Sequence, residues 1–281
     1  MSYKDLLVVL DAAPDTPGRI ELAVGLAERF AAHLIGLYPV PSPELPQAAG
    51  YADLAALAPI YREWRARAMA QAEQTRTAFE AAAQRCGVAV EWRAPGDGDE
   101  ADPALHARYA DLAILGQRNL AGDDAAFVRP RPEHVTLASG RPVLVVPYAG
   151  RFAAVGRQIV VAWNASREAA RAVADAMPLL AAAEGVTVLT VDPQIGPDAQ
   201  GELPGADIAL HLARHGVKAQ IERTVSAEVP IGEVLLSRLC DLGADLLVMG
   251  AYGHSRTREL LLGGATRSIL ASMTVPVLMS H

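Results

Sequence analysis

The part of this sequence best suited to chemistry is a set of glycines between an apolar run and a helical pattern. The run 244–249 predicts a buried strand, and residues 265–272 predict a helix. Glycines at such a junction let backbone N–H groups approach a phosphate closely, and the helix N-terminus adds partial positive charge. The alternative is that the glycines serve only turns and a helix start. They are Gly250, Gly253, Gly263 and Gly264, spaced G-x2-G-x9-G-G, unlike the Walker loop or the dinucleotide-binding pattern.

The elements that must position these glycines occur twice along the chain. Residues 110–116 match residues 244–250 at an offset of 134, and residues 6–11 match residues 159–164 at an offset of 153. The offsets differ by 19 residues, which places one insertion in the first half, after its second strand. Two separate stretches that each keep their register indicate an internal repeat.

Each half alternates apolar strands with helices, which is typical of a parallel sheet covered on both faces. The sequence therefore predicts an α/β fold of two tandem, doubly wound, five-stranded parallel sheets of Rossmann-like type. We expect one domain over residues 1–148, with a helical insertion at about 41–64, and a second over 157–281. In the second half the predicted strands are about 157–164, 186–192, 217–225, 245–250 and 275–280, and the predicted helices are about 167–183, 204–216, 229–243 and 264–273.

The glycine spacing and the duplicated fold resemble the universal stress protein family, over essentially the whole chain as a tandem pair. The resemblance implies an adenine nucleotide alpha hydrolase-like fold, with the ligand above the carboxyl ends of the strands. It also implies a stress-response protein that binds ATP or AMP as a regulatory ligand, with Mg²⁺ accompanying the phosphates. Carried over to matching positions, the ligand contacts are Asn164 and Val191 for the nucleoside, Gly250, Gly253, Gly263, Gly264, Ala265 and Thr266 for the phosphates, and His254 and Arg256 as further candidates.

The two halves differ where the resemblance places the phosphates. In place of the last two glycines the first half has Arg129 and Pro130. Arg129 adds bulk where the backbone must approach a phosphate, and Pro130 removes an N–H donor. We therefore expect the first half not to bind ATP, so that one nucleotide binds per chain. The family's usual aspartate after the first strand is kept as Asp11 in this half and is replaced by Asn164 in the second. At an offset of 134, the four glycines correspond to Gly116, Asn119, Arg129 and Pro130.

Composition and charge favour a cytoplasmic protein that binds neither nucleic acid nor membranes. The net charge of −7 argues against a surface for nucleic acid. The N-terminal residues lead directly into an apolar run, 6–10, that is too short to cross a bilayer, so we expect no signal peptide or membrane span. Cys86 and Cys240 lack a CxxC motif and are predicted to be small core residues in a reducing compartment.

No residues are spaced like a nucleophile with its base or like a metal site, so we expect a non-enzymatic protein. His211 and His215 lie four residues apart on a predicted helix, which favours an exposed helix face. Asp192 follows a strand and either touches a ribose or Mg²⁺ or belongs to an ordinary turn. Two alternatives remain open: a nucleotide-independent interaction scaffold, and an enzyme that slowly hydrolyses ATP or transfers adenylyl groups.

Both halves end in an apolar strand, at 143–146 and 277–279. An uncovered hydrophobic edge favours pairing, and the resemblance implies pairing through this last strand. We therefore expect the halves to pack against each other around a pseudo-twofold axis. The apolar side chains of the insertion, three to four residues apart, predict a lid on their own domain or a surface for homodimerisation of whole chains. These side chains are Tyr51, Leu54, Leu57, Ile60, Tyr61 and Trp64.

Overall fold

The structure is a computed structural model that describes residues 2–40, 51–95, 101–118, 131–193, 203–253 and 264–281. Over residues 51–61 it describes the backbone of a helix and, apart from Pro59, no side chains. Within the described ranges, strands and helices alternate along both halves of the chain.

The first half begins with a strand and returns to the same sheet after each helix. Its strands are β1 Asp5–Val9, β2 His33–Leu37, β3 Val90–Arg93, β4 Leu112–Gly116 and β5 Val143–Val146. Its helices are α1 Thr16–Phe30, α2 Tyr51–Cys86, α3 Pro103–Ala107 and α4 Pro132–Ser139.

The second half repeats this alternation with a shorter second helix. Its strands are β6 Gln158–Ala162, β7 Gly185–Val191, β8 Ala219–Thr224, β9 Leu246–Gly250 and β10 Val277–Ser280. Its helices are α5 Arg167–Ala181, α6 Ala206–Arg214, α7 Ile231–Asp241 and α8 Gly264–Ser272. Ser166 begins α5 as its N-cap, because its hydroxyl oxygen accepts a hydrogen bond from the N–H of Ala169 at 3.1 Å.

The ten strands form one sheet in the order β3-β2-β1-β4-β5-β10-β9-β6-β7-β8. Read outward from the β5–β10 junction, both halves follow the same order, and every pair within a half is parallel. The predicted α/β, Rossmann-like fold is confirmed. Because the sheet is continuous, the division into domains 1–148 and 157–281 stays a prediction.

The two halves join through their last strands. β5 and β10 pair antiparallel, with Val145 opposite Val277 and Leu144 opposite Leu278. All residues of both strands are buried. The predicted contact between these edges is confirmed, since each strand supplies the backbone partners that the other would otherwise lack.

A buried side chain after β4 adds a second link between the halves. The Gln117 amide nitrogen donates hydrogen bonds to the carbonyls of Leu270 at 2.9 Å and Ala271 at 3.3 Å. Its amide oxygen accepts one from the N–H of Tyr148 at 3.2 Å. Gln117 therefore caps the C-terminal end of α8 from the opposite half.

Replacing Gln117 by alanine is expected to lower the free energy of unfolding by about 1–2 kcal/mol, because buried carbonyls lose their donor. Urea unfolding of the full chain measures the difference. Gln220→Ala, at an exposed position on β8, is the control and should leave the midpoint unchanged. Equal midpoints for Gln117→Ala and the parent would mean that water donates to the carbonyls of Leu270 and Ala271 in place of Gln117, with no loss of stability.

The sheet is apolar on both faces, as expected for parallel strands covered by helices. Along β1, Leu6 and Val8 pack into one cluster of buried residues, whereas Leu7 and Val9 pack into the other. The interpretation of the cysteines as core residues is wrong. Cys86 and Cys240 are both exposed and unbridged, because each lies near the end of a helix on its solvent side.

The long helix α2 packs on the first half through its C-terminal part. Ala68, Ala72 and Phe79 are buried, and Trp64 is partly buried against the same cluster. The other five side chains of the predicted apolar stripe, between Tyr51 and Tyr61, lie outside the described residues. Whether they form a lid or a dimerisation surface therefore stays a prediction.

Candidate functional site

The second half offers a crevice at the carboxyl ends of β6 and β9. These strands are parallel neighbours, and the chain leaves β6 toward α5 on one side and β9 toward β10 on the other. Reversal of strand order at this point opens a crevice in which doubly wound folds bind ligands. Among the predicted nucleoside and phosphate residues, Val191 and Gly250 end strands at this edge, and Asn164 and Gly253 follow β6 and β9 there.

The two residues predicted to contact the nucleoside, Asn164 and Val191, lie at the ends of the neighbouring strands β6 and β7. Asn164 follows β6 and is exposed, and its side-chain oxygen accepts a hydrogen bond from the N–H of Ser166 at 3.1 Å. Val191 is the last residue of β7, the neighbour of β6, and is half-buried. Asn164 therefore supports the turn into α5 with its oxygen while remaining accessible from the crevice.

The N-terminus of α8 forms another wall of the site. Gly264 is exposed, and a Cβ placed on it would meet no atom within 4 Å, so a side chain at this position has room. Thr266 is buried, and its hydroxyl oxygen accepts a long hydrogen bond, 3.5 Å, from the N–H of Tyr252. This hydrogen bond connects the segment after β9 to the first turn of α8. Ala265 lies in the same first turn, whereas Gly263, His254 and Arg256 lie outside the described residues.

Gly250 and Gly253 allow the chain after β9 to pack closely on the first turn of α5. A Cβ at Gly250 would lie 2.5 Å from the nitrogen of Ala169 and 2.6 Å from the carbonyl carbon of Glu168. A Cβ at Gly253 would lie 2.8 Å from Oε2 of Glu168. Gly250 therefore requires glycine for contact with the backbone of α5, whereas a side chain at Gly253 would have to displace the carboxylate of Glu168.

Sequence reasoning missed Glu168, the acidic residue against which these glycines pack. It is only 2% exposed, and its Oε1 accepts a 2.5 Å hydrogen bond from Nε of Arg167. Its Oε2 has no hydrogen-bond partner among the described residues. Burial alone would raise the pKa of this carboxyl, but hydrogen bonds from Arg167 and the backbone and the nearby Ser166 hydroxyl hold it below its usual range. The signal that the sequence offers for Glu168 is its position 153 residues after Asp15, because 153 is an offset between the two repeats.

The corresponding place in the first half is filled by a buried arginine. Arg19 is 2% exposed, and one guanidinium nitrogen donates to the carbonyl of Val9 at 2.7 Å. The other lies 2.6 Å from the carboxylate of Asp15 and 3.4 Å from that of Asp11. A Cβ at Gly116 would overlap this guanidinium. The end of β4 is therefore covered from within its own half.

The remaining sequence candidates have ordinary structural surroundings. Asp192 lies at a φ of 45° and accepts a hydrogen bond from the N–H of Ser226 at 2.9 Å, and hydrogen bonding to the Ser226 side chain and backbone lowers the pKa of its carboxyl. His211, on α6, and His215, the residue that follows the helix, are exposed, with ring centroids 4.8 Å apart. Within the described residues, no three His, Cys, Asp or Glu side chains are grouped as metal ligands. Among those residues, none of the helices has the length and apolar character needed to cross a membrane.

Comparison with known proteins identifies the half that carries this crevice. Residues 156–281 match the model of the universal stress protein family. This half of the chain belongs to the universal stress protein family. The sequence resemblance is thereby confirmed for the half with the glycine pattern, and the crevice lies within a universal stress protein domain.

Similar proteins also extend beyond this half of the chain. A universal stress protein of Synechocystis is 30% identical over 181 residues, which are 60% of this chain and 57% of that relative. The chain therefore matches little more than half the length of this curated relative. A solved universal stress protein of Archaeoglobus fulgidus has a TM-score of 0.68 at 15% identity, covering 98% of this chain and 97% of its own. A Pseudomonas aeruginosa protein of unknown function has a TM-score of 0.55 at 17% identity, covering 99% and 92%. Both structures show the shared fold of the two halves.

Proposed function

We propose that this protein binds one adenine nucleotide, ATP or AMP, in its second half and uses it as a regulatory ligand in a stress response. The observation that carries the proposal is the N-terminus of α8, which follows a glycine pattern at the topological switch point of a universal stress protein domain. Backbone N–H groups at such a helix end bind anionic phosphate.

The residues around the crevice fit a nucleotide in distinct ways. Asn164 is accessible beside Val191 and can donate from its amide nitrogen to a base or ribose. The first turn of α8, with Gly264, Ala265 and Thr266, carries backbone N–H groups of the kind that bind phosphate, and Gly264 is exposed. The bound nucleotide supplies negative charge and a purine ring. The protein orients it, and the first half takes no part because Arg19 covers the equivalent strand end.

We further propose that the protein is not an enzyme. The side chains described around the crevice bind and position, and Ser166, whose hydroxyl lies beside the carboxylate of Glu168, serves as the N-cap of α5. A regulatory ligand of this kind changes the protein's contacts rather than being consumed. Its action is expected in the cytoplasm, where adenine nucleotides are abundant, and homodimerisation of the whole chain is part of the same proposal.

Titration calorimetry of the full chain with ATP and with AMP tests this function. We expect one nucleotide per chain, and Gly253→Val should weaken binding at least about tenfold, or about 1.4 kcal/mol, because its side chain collides with Glu168 and displaces the loop. Gly18→Val is the matched control, since a Cβ at Gly18 meets nothing within 4 Å. Two nucleotides per chain, or unchanged affinity in Gly253→Val, would contradict the proposed site.

The second candidate function, a nucleotide-independent interaction scaffold, is favoured by exposed apolar side chains on the edge strand β8 and on the segments next to it in the chain. These side chains are Leu203, Leu210, Ile221, Val225, Val229 and Ile231. Apolar side chains that remain exposed near a sheet edge can serve as contacts for a partner. Calorimetry separates the candidates, because a scaffold of this type binds neither ATP nor AMP.

A further inference from the structure

Three arginines from both halves of the chain meet around the C-terminal end of α4. Nε and Nη2 of Arg141 donate to the carbonyl of Arg108 at 3.2 and 3.1 Å. Nη2 of Arg108 donates in turn to the carbonyl of Ala138 at 3.3 Å. From α5 of the second half, Nη2 of Arg171 reaches the carbonyl of Gly140 at 3.5 Å. These contacts link neighbouring groups, so the three guanidinium groups belong to one continuous surface.

Two exposed apolar side chains border these arginines. Tyr109 follows Arg108 in the chain and is 79% exposed, and Leu137 precedes Ala138 and is 46% exposed. A single exposed apolar residue is ordinary, but tyrosine and arginine together are enriched where proteins contact each other. We call this set the arginine surface. It consists of Arg108, Tyr109, Leu137, Arg141 and Arg171.

The arginine surface carries positive charge on a protein whose net charge is −7. Arg171 is paired with Asp175 at 2.8 Å. Arg108 and Arg141 donate to main-chain carbonyls, which carry no formal charge. Asp102 is within electrostatic range of Arg108 but is already hydrogen-bonded to His134 at 3.0 Å. A guanidinium group offers more N–H donors than these contacts use, so donors remain for an anionic ligand.

The second half shows that the fold does not require these side chains. The offsets of 134 and 153 residues place small or apolar residues at the five equivalent positions. The equivalents of Arg108, Tyr109, Leu137, Arg141 and Arg171 are, in this order, Leu242, Gly243, Ala271, Val275 and Gly18. The C-terminal end of α8, equivalent to this end of α4, is capped by the neutral side chain of Gln117. Three arginines therefore exceed what the end of such a helix needs.

We propose that the arginine surface binds an acidic peptide segment of a partner protein, with carboxylates on the guanidinium groups and an apolar side chain against Tyr109 and Leu137. Guanidinium groups bind carboxylates in a bidentate manner, and groups already held by carbonyls lose little freedom on binding. A nucleic acid strand would need a longer positive track than this surface offers on an acidic protein. The proposal goes beyond nucleotide binding and does not depend on it.

The surface lies at the same end of the sheet as the crevice. β5 runs antiparallel to β10, so its first residues, next to Arg141, lie where β10 ends. Arg171 belongs to α5, whose first turn packs on Gly250. A partner held by the arginine surface would therefore contact the helix that also borders the crevice.

Fluorescence anisotropy with a short labelled peptide that repeats Glu-Glu-Leu tests the proposal on the full chain. We expect binding that weakens as salt is added, because exposed charges are screened. The double variant Arg108→Ala, Arg171→Ala should bind at least about tenfold more weakly, since both guanidinium partners are lost. Tyr109→Ala keeps every charge and should weaken binding by about threefold or more. Arg214→Ala, at an exposed position near the end of α6, is the control and should bind like the parent.

The other outcomes contradict the proposal in distinct ways. If the peptide does not bind the parent, or binds the double variant equally well, the arginines only support the end of α4. Equal binding of a peptide that repeats Lys-Lys-Leu would mean that apolar contact alone is responsible. If labelled oligouridylate binds in place of the acidic peptide and the double variant loses it, the surface binds nucleic acid. Urea unfolding of each variant confirms that the protein measured is folded.

Discussion

Replacing Arg19 by methionine is expected to lower the free energy of unfolding by about 3–5 kcal/mol, because it breaks a buried charge pair by removing one partner. Arg19 is buried, and its guanidinium contacts Asp15, Asp11 and the carbonyl of Val9. Methionine fills much of the volume but removes the positive charge beside both carboxylates and the guanidinium donor of Asp15 and of the Val9 carbonyl, whereas Asp11 keeps its hydrogen bonds from Ala13 and Thr16. Urea unfolding of the full chain, monitored by circular dichroism, measures the loss.

The equivalent helix of the second half provides a matched control for this prediction. Arg171 pairs with Asp175 on α5 at 2.8 Å, with the same four-residue separation, but its side chain is 50% exposed. Arg171→Met should change stability by less than about 0.5 kcal/mol, since exposed pairs of this type contribute little. A similar loss in both variants would mean that burial does not decide the strength of these pairs. Arg19→Met should also leave ATP binding in the second half intact.

Most of the fold could be predicted because it depends on patterns that are local in the chain. Parallel strands covered on both faces require continuous apolar runs, and β4 and β9 are two such runs that each begin with leucine and end in glycine. The offsets of 134 and 153 residues, each kept over a separate stretch, predicted two copies of one topology. The apolar strands β5 and β10 then predicted the junction, because each pairs on only one side within its own half.

The errors and omissions concern contacts between parts of the chain that are distant in sequence. Cys86 and Cys240 were interpreted from residue type alone, whereas their exposure depends on which side of a helix faces solvent. Glu168 lies in an ordinary first turn of α5, and only its contact with Gly253, 85 positions further on, makes it notable. A comparison of the repeats could have found it, because Ala172 replaces the arginine that pairs with the acid in the first half.

The glycines of the site illustrate how one residue type can satisfy two requirements. The sequence predicted that Gly250 and Gly253 make room for a phosphate, and the structure shows that they also make room for α5. The second requirement holds without any ligand, so loss of these glycines should be detectable as loss of stability. Gly264 differs, because the space around it is open.

Gly250→Ala is therefore expected to lower the free energy of unfolding by about 2–3 kcal/mol, near the upper end for overpacking of a core. The added Cβ would lie 2.5 Å from the nitrogen of Ala169 and 2.6 Å from the carbonyl carbon of Glu168. These are backbone atoms, so no change of side-chain rotamer can relieve the contact, and either β9 or α5 must shift. Such a shift also moves the loop relative to Asn164, and ATP affinity should fall with stability.

Gly264→Ala is the control that separates crowding from a general effect of losing glycine. Alanine at this position, in the first turn of α8, meets no atom within 4 Å and favours the helix. It should leave the free energy of unfolding unchanged or raise it by up to about 1 kcal/mol. Urea unfolding of both variants provides the comparison. Equal stabilities for Gly250→Ala and Gly264→Ala would show that the end of β9 moves away from α5 at little cost, and the packing argument for Gly250 would be wrong.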